Sequence, residues 1–326
     1  MAQDLLPVRL PARDVPPPST ISDAARAALA TMAANPVVKR PDPEDQAGWR
    51  AAVAASTEMW APSVEAAIAA SSATLEEREI GGVPAVIATP KDVPAGGPVY
   101  LYFHGGAFVF GGGRFVAARA AENADRLGVT VVALDYRMPP EHPFPAAPED
   151  GVATYRALLE GHDPARIVVG GSSAGGNIAA AVALMLRDRG LPLPAGLVLL
   201  TPEVDLTEAG DTFRTNALLD VMLKGPLPEP NALYAGGTPL DDPYLSPLMA
   251  DLAGLPPTLV QAGTRDLFLS NAVLFHRKLR RAGVNAELHV WEAMPHGGFG
   301  GATPEDEEVF AEVSHFVRRV CPQSKR

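Results

Sequence analysis

The chain reads as an α/β protein: a mostly parallel central sheet, flanked by helices and covered by a helical cap. Three observations give that reading. Short apolar runs alternate with amphipathic helical stretches through the body of the chain. One of those runs passes through a glycine-serine turn directly into a helix, and two stretches, one N-terminal and one after the run at 196–200, break the alternation.

Residues 1–20 are proline-rich and expected to be extended, and 21–34 and 45–70 are alanine-rich with helical spacing. Residues 73–89 change to two alternating segments around Gly81-Gly82, which predicts a hairpin. Strands are then expected at 99–103, 130–134, 166–169, 196–200, 257–262 and 286–291. Helices are expected at 114–127, 146–159, 176–187 and 270–282. Strand and helix in turn imply parallel pairing, because a parallel crossover needs a helix-length connection. The stretch from Asp205 to Pro247 is rich in Leu, Pro and Gly without a strand pattern, and it is too long for a structureless loop in a compact domain. It is expected to be an inserted helical lid. Residues 304–320 place Val309, Phe310, Val313, Phe316, Val317 and Val320 on one face of a closing helix. The expected division is an N-terminal helical segment at 1–72, the α/β body at 73–205 and 241–326, and an insertion at 206–240.

Composition excludes several function classes. The 326 residues, 47% hydrophobic, suffice for one large domain with additions. A net charge of −11 disfavours nucleic acid and anionic membranes, which attract basic surfaces. A small neutral molecule is the expected partner. The single cysteine, Cys321, permits no intrachain disulfide. No apolar run reaches spanning length, and residues 1–19 lack the apolar core of a signal peptide, so a cytoplasmic location is expected. No His/Cys or Asp/Glu spacing points to a metal and no dinucleotide fingerprint is present, so no cofactor is expected. The glycines at 111–113 lack the Gly-Lys-Ser/Thr ending of a phosphate loop. An exposed last strand would permit a homodimer.

The chemistry gathers at Gly171-Ser172-Ser173-Ala174-Gly175. A strained strand-to-helix turn needs glycine two residues either side of its serine, which selects Ser173 over Ser172 as nucleophile. Acyl transfer also needs a base, a carboxylate to orient it and donors for an oxyanion. In an α/β-hydrolase fold these follow in the order Ser, acid, His on loops after late strands. Asp266 and His296 stand at such places, after the runs at 257–262 and 286–291. Asp205 comes too early in the topology, Asp251 is a weaker rival, and Asp266 could also simply start the helix near Ser270. Of the other histidines, His276 and His315 fall in helical patterns, His289 in a strand and His162 in a polar loop. His142 suits a structural role between Glu141 and Pro143. His104-Gly105-Gly106-Ala107-Phe108 leaves a strand and can aim N–H groups at an oxyanion. The hole is assigned to Gly106 and Ala107, with Gly105 supporting the turn and Ala174 as a further donor; the His104 ring is expected to pin the loop. Phe108, Phe110, Tyr136 and Phe299 are pocket candidates, although aromatic residues beside strands are more often core. Arg137 with Glu141, and the Glu149-Asp150 pair, are expected as ion-pair scaffolding. Adjacent carboxylates on a helix point apart, which argues against a glycosidase at 149–150.

These pieces together resemble the bacterial hormone-sensitive-lipase-like family (family IV) of the α/β-hydrolase superfamily, which includes many short-acyl carboxylesterases. The likeness rests on the loop at 104–108, on Asp135-Tyr136-Arg137 through Glu141-His142-Pro143-Phe144-Pro145-Ala146 with Glu149-Asp150, on the serine turn, and on the Asp266 and His296 loops, over roughly residues 75–320. The resemblance implies a cap built from N-terminal helices plus an insertion after the sixth strand. It also implies a serine carboxylesterase acting on small, short- to medium-acyl esters through an acyl-enzyme. A lactone or amide hydrolase with the same triad is the alternative, and a non-catalytic small-molecule receptor is a third reading that retention of His296 opposes. Two departures stand out: Ala107 replaces the family's usual third glycine, and Ser172 occupies a position that is often acidic.

Overall fold

The computed structural model describes residues 8, 11–93 and 96–321. Part of the proline-rich opening, residues 1–7, 9 and 10, therefore lies outside the described residues. Eight strands form one sheet: β1 (Thr74–Ile80), β2 (Val83–Thr89), β3 (Val99–Phe103), β4 (Thr130–Leu134), β5 (Ile167–Ser172), β6 (Gly196–Leu200), β7 (Thr258–Gly263) and β8 (Ala286–Trp291). Their spatial order is β1-β2-β4-β3-β5-β6-β7-β8. β1 and β2 make the expected hairpin, and β2 pairs antiparallel with β4. From β4 through β8 the pairing is parallel.

β3, Val-Tyr-Leu-Tyr-Phe, is buried along its whole length between β4 and β5, as an apolar run covered on both faces must be. Edge strand β1 instead carries Glu76, Glu77, Arg78 and Glu79, charges that oppose pairing with another chain. β5 runs two residues past Gly170, further than expected, because glycines carry no side chains to mark the period; Arg166 closes a short 3₁₀ turn instead.

One face of the sheet is covered by α4 (Ala146–Leu158), α5 (Ala174–Asp188) and α8 (Leu269–Arg281), the other by α3 (Arg114–Leu127) and α9 (Pro304–Val320). α5 is buried from Ala174 through Leu186, which explains why its sequence is apolar on every side. α9 opens on a capping box, with Thr303 and Asp306 satisfying each other's backbone N–H groups.

The N-terminal helices α1 (Asp23–Ala33) and α2 (Gln46–Ala70) pack on the 206–240 stretch beside the loops that leave β3 and β8. Trp49 of α2 is fully buried against Val109 and Leu233, and α1 shares a cluster with Val221, Phe299 and Val309. The 206–240 stretch is less helical than its length led us to expect, holding only α6 (Thr212–Thr215) and α7 (Pro228–Ala235). Pro226 and Pro239 deny the chain helical N–H donors on either side of α7, Pro228 and Pro230 are tolerated in its first turn, and Gly236 ends it in the left-handed conformation. No helix among the described residues is long and apolar enough to cross a membrane.

Candidate active site

Ser173 sits at the hinge between β5 and α5 with φ 58° and ψ −122°, a strained conformation for a residue with a side chain. The chain holds it there because its N–H donates to Leu200 O at 2.8 Å and α5 starts one residue later. A methyl group on Gly175 would stand 2.0 Å from Phe103 O, so only glycine lets α5 approach the end of β3. The turn is therefore built around Ser173, and Ser172 lines a cavity shared with residues of α3 and α9.

Ser173, Asp266 and His296 converge. His296 Nε2 lies 2.9 Å from Ser173 Oγ, and His296 Nδ1 lies 3.0 Å from Asp266 Oδ1. All three are buried, with Ser173 9%, His296 6% and Asp266 0% exposed. Asp266 Oδ1 also accepts from the Phe268 N–H at 2.9 Å, so it shapes the start of α8 while it faces the imidazole. The ring of Phe268 meets the His296 ring edge-on at 4.8 Å. Burial pushes the His296 imidazole down, but the charge and hydrogen bond of Asp266, with the Asp220 charge, leave it above the ordinary histidine value.

The loop after β3 lies against this turn: a methyl on Gly105 would stand 3.0 Å from Ser172 O and 3.2 Å from Ser173 Cβ. Val109 and Phe110 N–H both donate to Gly106 O, closing a tight turn in which Gly106, Ala107 and Phe108 all take positive φ. Gly105 thus lies beside Ser173, and Ala174, the next residue along the chain, opens α5. A helix N-terminus adds a favourable field for negative charge. His104 Nδ1 lies 2.8 Å from Gly105 O, and its ring stacks on Tyr136 at 4.3 Å. Tyr136 Oη donates to His104 O at 2.7 Å. Burial pushes the His104 imidazole down to about 4, which keeps it neutral.

The aromatic pocket candidates are each engaged in packing. Phe108 is fully buried and stacked on Tyr234 at 4.0 Å, Tyr136 props the 104–108 loop, and Phe299 belongs to the cluster holding α1. These three are buried in such contacts, and Phe110 is half-buried beside Trp49. A cavity of about 390 Å³ adjoins the turn at Ser172 on the α3/α9 side, and Met32, Trp60, Thr201, Met222 and Gly297 are among its other lining residues. Its walls come from α1, α2, the 206–240 stretch and the segment after His296, which no local pattern could reveal.

One ion-pair expectation changes and the other holds, since Glu149 and Asp150 both enter ion pairs. Arg137 pairs with Asp150, not Glu141, through its backbone N–H at 2.9 Å and its guanidinium at 2.6 Å. Glu141 is taken by Arg50 of α2 at 2.7 Å, and Glu149 by Arg189. Missed altogether were Asn216 and Asp220, whose side chains reach the Asp266 and His296 loops. Nothing in their neighbourhood in the sequence marks them, since the contacts span 47 to 76 residues.

Residues 100–299 match the α/β hydrolase fold family. The chain is 38% identical over 232 residues to an acetyl-hydrolase of Streptomyces hygroscopicus, covering 71% of this chain and 72% of that one. It is 33% identical to a carboxylesterase of Mycobacterium tuberculosis, covering 68% and 75%. Among solved structures, an esterase superposes with a TM-score of 0.89 at 34% identity, covering 96% of this chain and 98% of that chain. An esterase of the bacterial hormone-sensitive lipase family superposes with a TM-score of 0.76 at 33% identity, covering 92% and 99%. With the strand order and the serine turn already described, the chain belongs to the α/β-hydrolase fold family, in its bacterial hormone-sensitive-lipase-like branch.

Proposed function

We propose that this carboxylic ester hydrolase uses Ser173 as nucleophile, His296 as general base and acid, and Asp266 to orient the imidazole. The observation that carries the assignment is the unbroken chain of contacts from Ser173 Oγ through His296 to Asp266. Ser173 Oγ attacks the carbonyl carbon as its proton passes to His296 Nε2. The N–H groups of Gly106, Ala107 and Ala174, with Gly105 supporting the turn, receive the oxyanion. Collapse breaks the bond to the alcohol, which takes the proton from Nε2 and leaves Ser173 acylated. Water, deprotonated by the same nitrogen, then attacks the acyl carbon; the proton returns to Oγ as the acid departs.

The substrate expected is a small, neutral, short- to medium-acyl ester. Burial of Ser173 supports selection by size, and the packing of α1 and α2 on the 206–240 stretch supports reading those segments as the cap. Turnover of nitrophenyl acetate and butyrate should exceed that of long-chain esters. Equal turnover at all lengths contradicts the cap, and faster turnover of lactones redirects the reading to cyclic esters. The acidic surface and the buried free Cys321 support a cytoplasmic enzyme, and the exposed Val290 on edge strand β8 supports a homodimer.

Gly106→Ala tests the oxyanion assignment. The new methyl would stand 2.1 Å from Phe110 O at a φ of 131°, so the turn must open and its N–H groups must swing away. Loss of one such donor costs about 10²–10³ in kcat. We expect a loss of that order with the melting temperature changed far less, checked by steady-state kinetics and calorimetry.

A further inference from the structure

Three residues of the 206–240 stretch, spaced by four, grip one loop of the catalytic body. Thr212 Oγ1 donates to Leu267 O at 2.8 Å and accepts from the Ser270 N–H at 2.9 Å. Asn216 Nδ2 donates to Thr264 O at 3.2 Å and to Asp266 O at 2.8 Å. Asp220 Oδ2 accepts from the Leu267 N–H at 2.8 Å, and both its oxygens lie 3.3 Å from the His296 N–H. Backbone bonds Asn216 N–H to Thr212 O and Asp220 N–H to Asn216 O keep the three on one side of a short helical run. The division of labour is complementary: the Asn216 amide takes the carbonyls of the acid loop, and the Asp220 carboxylate takes the N–H groups beside the acid and on the base.

Asp220 is fully buried and also accepts from the N–H groups of Met222 at 2.9 Å and Leu223 at 3.1 Å. Every partner is a backbone N–H, so the carboxylate ties its own turn to two catalytic loops. A buried carboxylate near a second one is costly unless its charge is used. The groups whose charge bears on Asp220 are His296, which stabilises its ionised form, and Asp266, which opposes it. Burial pushes Asp220 up to about 6, leaving it ionised at neutral pH.

Resting on the serine-histidine-aspartate reading above, we propose that Asp220 is a positioning residue for His296. It fixes the main chain of the base through its N–H and adds a second negative charge where the imidazolium forms, while Asn216 holds the main chain of the acid. The 206–240 stretch would then assemble the catalytic loops as well as cover them.

The test compares wild type, D220N and N216A with nitrophenyl butyrate across pH 5–9, counting functional sites by titration with a fluorophosphonate. Loss of positioning by about 1 Å can cost about 10²-fold. D220N should lose about 10–100-fold in kcat with KM little changed. Its acidic limb should move to lower pH, because a negative charge near the imidazole is gone. N216A should lose kcat with the limb unmoved, since no charge is removed. A folded D220N with wild-type kcat, or with an unmoved limb, overturns the proposal. Should D220N fail to fold, wild-type kcat in N216A overturns the clamp, and the kcat-only loss supports it. Wild-type protein without Ser173-dependent turnover would instead sink the underlying triad assignment.

Discussion

Ser173→Ala is expected to lower kcat on a nitrophenyl ester by on the order of 10⁶ while leaving the fold intact. In the proposed mechanism the oxygen removed is the atom that receives the acyl group, and the substituted alanine offers none in its place. His296 Nε2, 2.9 Å away, would face a methyl group and could at best activate a water. His296→Ala should cost a similar factor, because an unactivated serine hydroxyl is a poor nucleophile at neutral pH. The double variant should be scarcely worse than either single one, since the two side chains act on one proton in one step. Additive losses would mean that the two residues serve different steps. Fluorophosphonate labelling, complete in wild type and absent in Ser173→Ala, separates lost chemistry from lost folding. Circular dichroism should be unchanged, for the substituted alanine has only to keep the positive φ that Ser173 already tolerates.

How much of this could be read from the chain depends on the range over which each feature is encoded. β3 and β4 were legible because burial on both faces writes an uninterrupted apolar run into consecutive residues. The serine turn and the Asp266 and His296 loops were legible because topology fixes where a strand end must lie. Arg137 was assigned the wrong partner for the opposite reason. Glu141 is four residues away in sequence, yet it turns to Arg50 on α2, while Asp150 in the first turns of α4 meets both the N–H and the guanidinium of Arg137. The aromatic residues show the same range: Phe108 stacks on Tyr234 and Tyr136 on His104, partners distant in sequence that no local pattern names. The 206–240 stretch is set by prolines and by contacts such as Trp49 with Leu233, none of which has a local period.

Asp266→Asn is the second large effect, and its size depends on how the new amide is held. The replacement could turn its nitrogen toward His296 Nδ1, which would force the wrong tautomer and cost about 10⁴ in kcat. Here the site resists that orientation. Asp266 Oδ1 receives the Phe268 N–H at 2.9 Å as well as facing Nδ1 at 3.0 Å, so an NH₂ in its place would confront a donor. The amide oxygen therefore belongs at the Oδ1 position and the NH₂ at the Oδ2 position, where the buried Asp266 oxygen has no hydrogen-bond partner among the described residues. The tautomer survives, the charge does not, and the kcat loss should stay below about 10⁴. The pH profile reads the same change with a definite sign. In wild type Asp266 and Asp220 outweigh burial and hold His296 above the ordinary histidine value, so the rate should fall on acidification with a midpoint above about 6.5. With the Asp266 charge gone burial dominates, and the midpoint in Asp266→Asn should drop below that of wild type. An acidic limb that stays in place would mean that the carboxylate at 266 does not bear on the base, and the rate on nitrophenyl butyrate from pH 5 to 9 decides it.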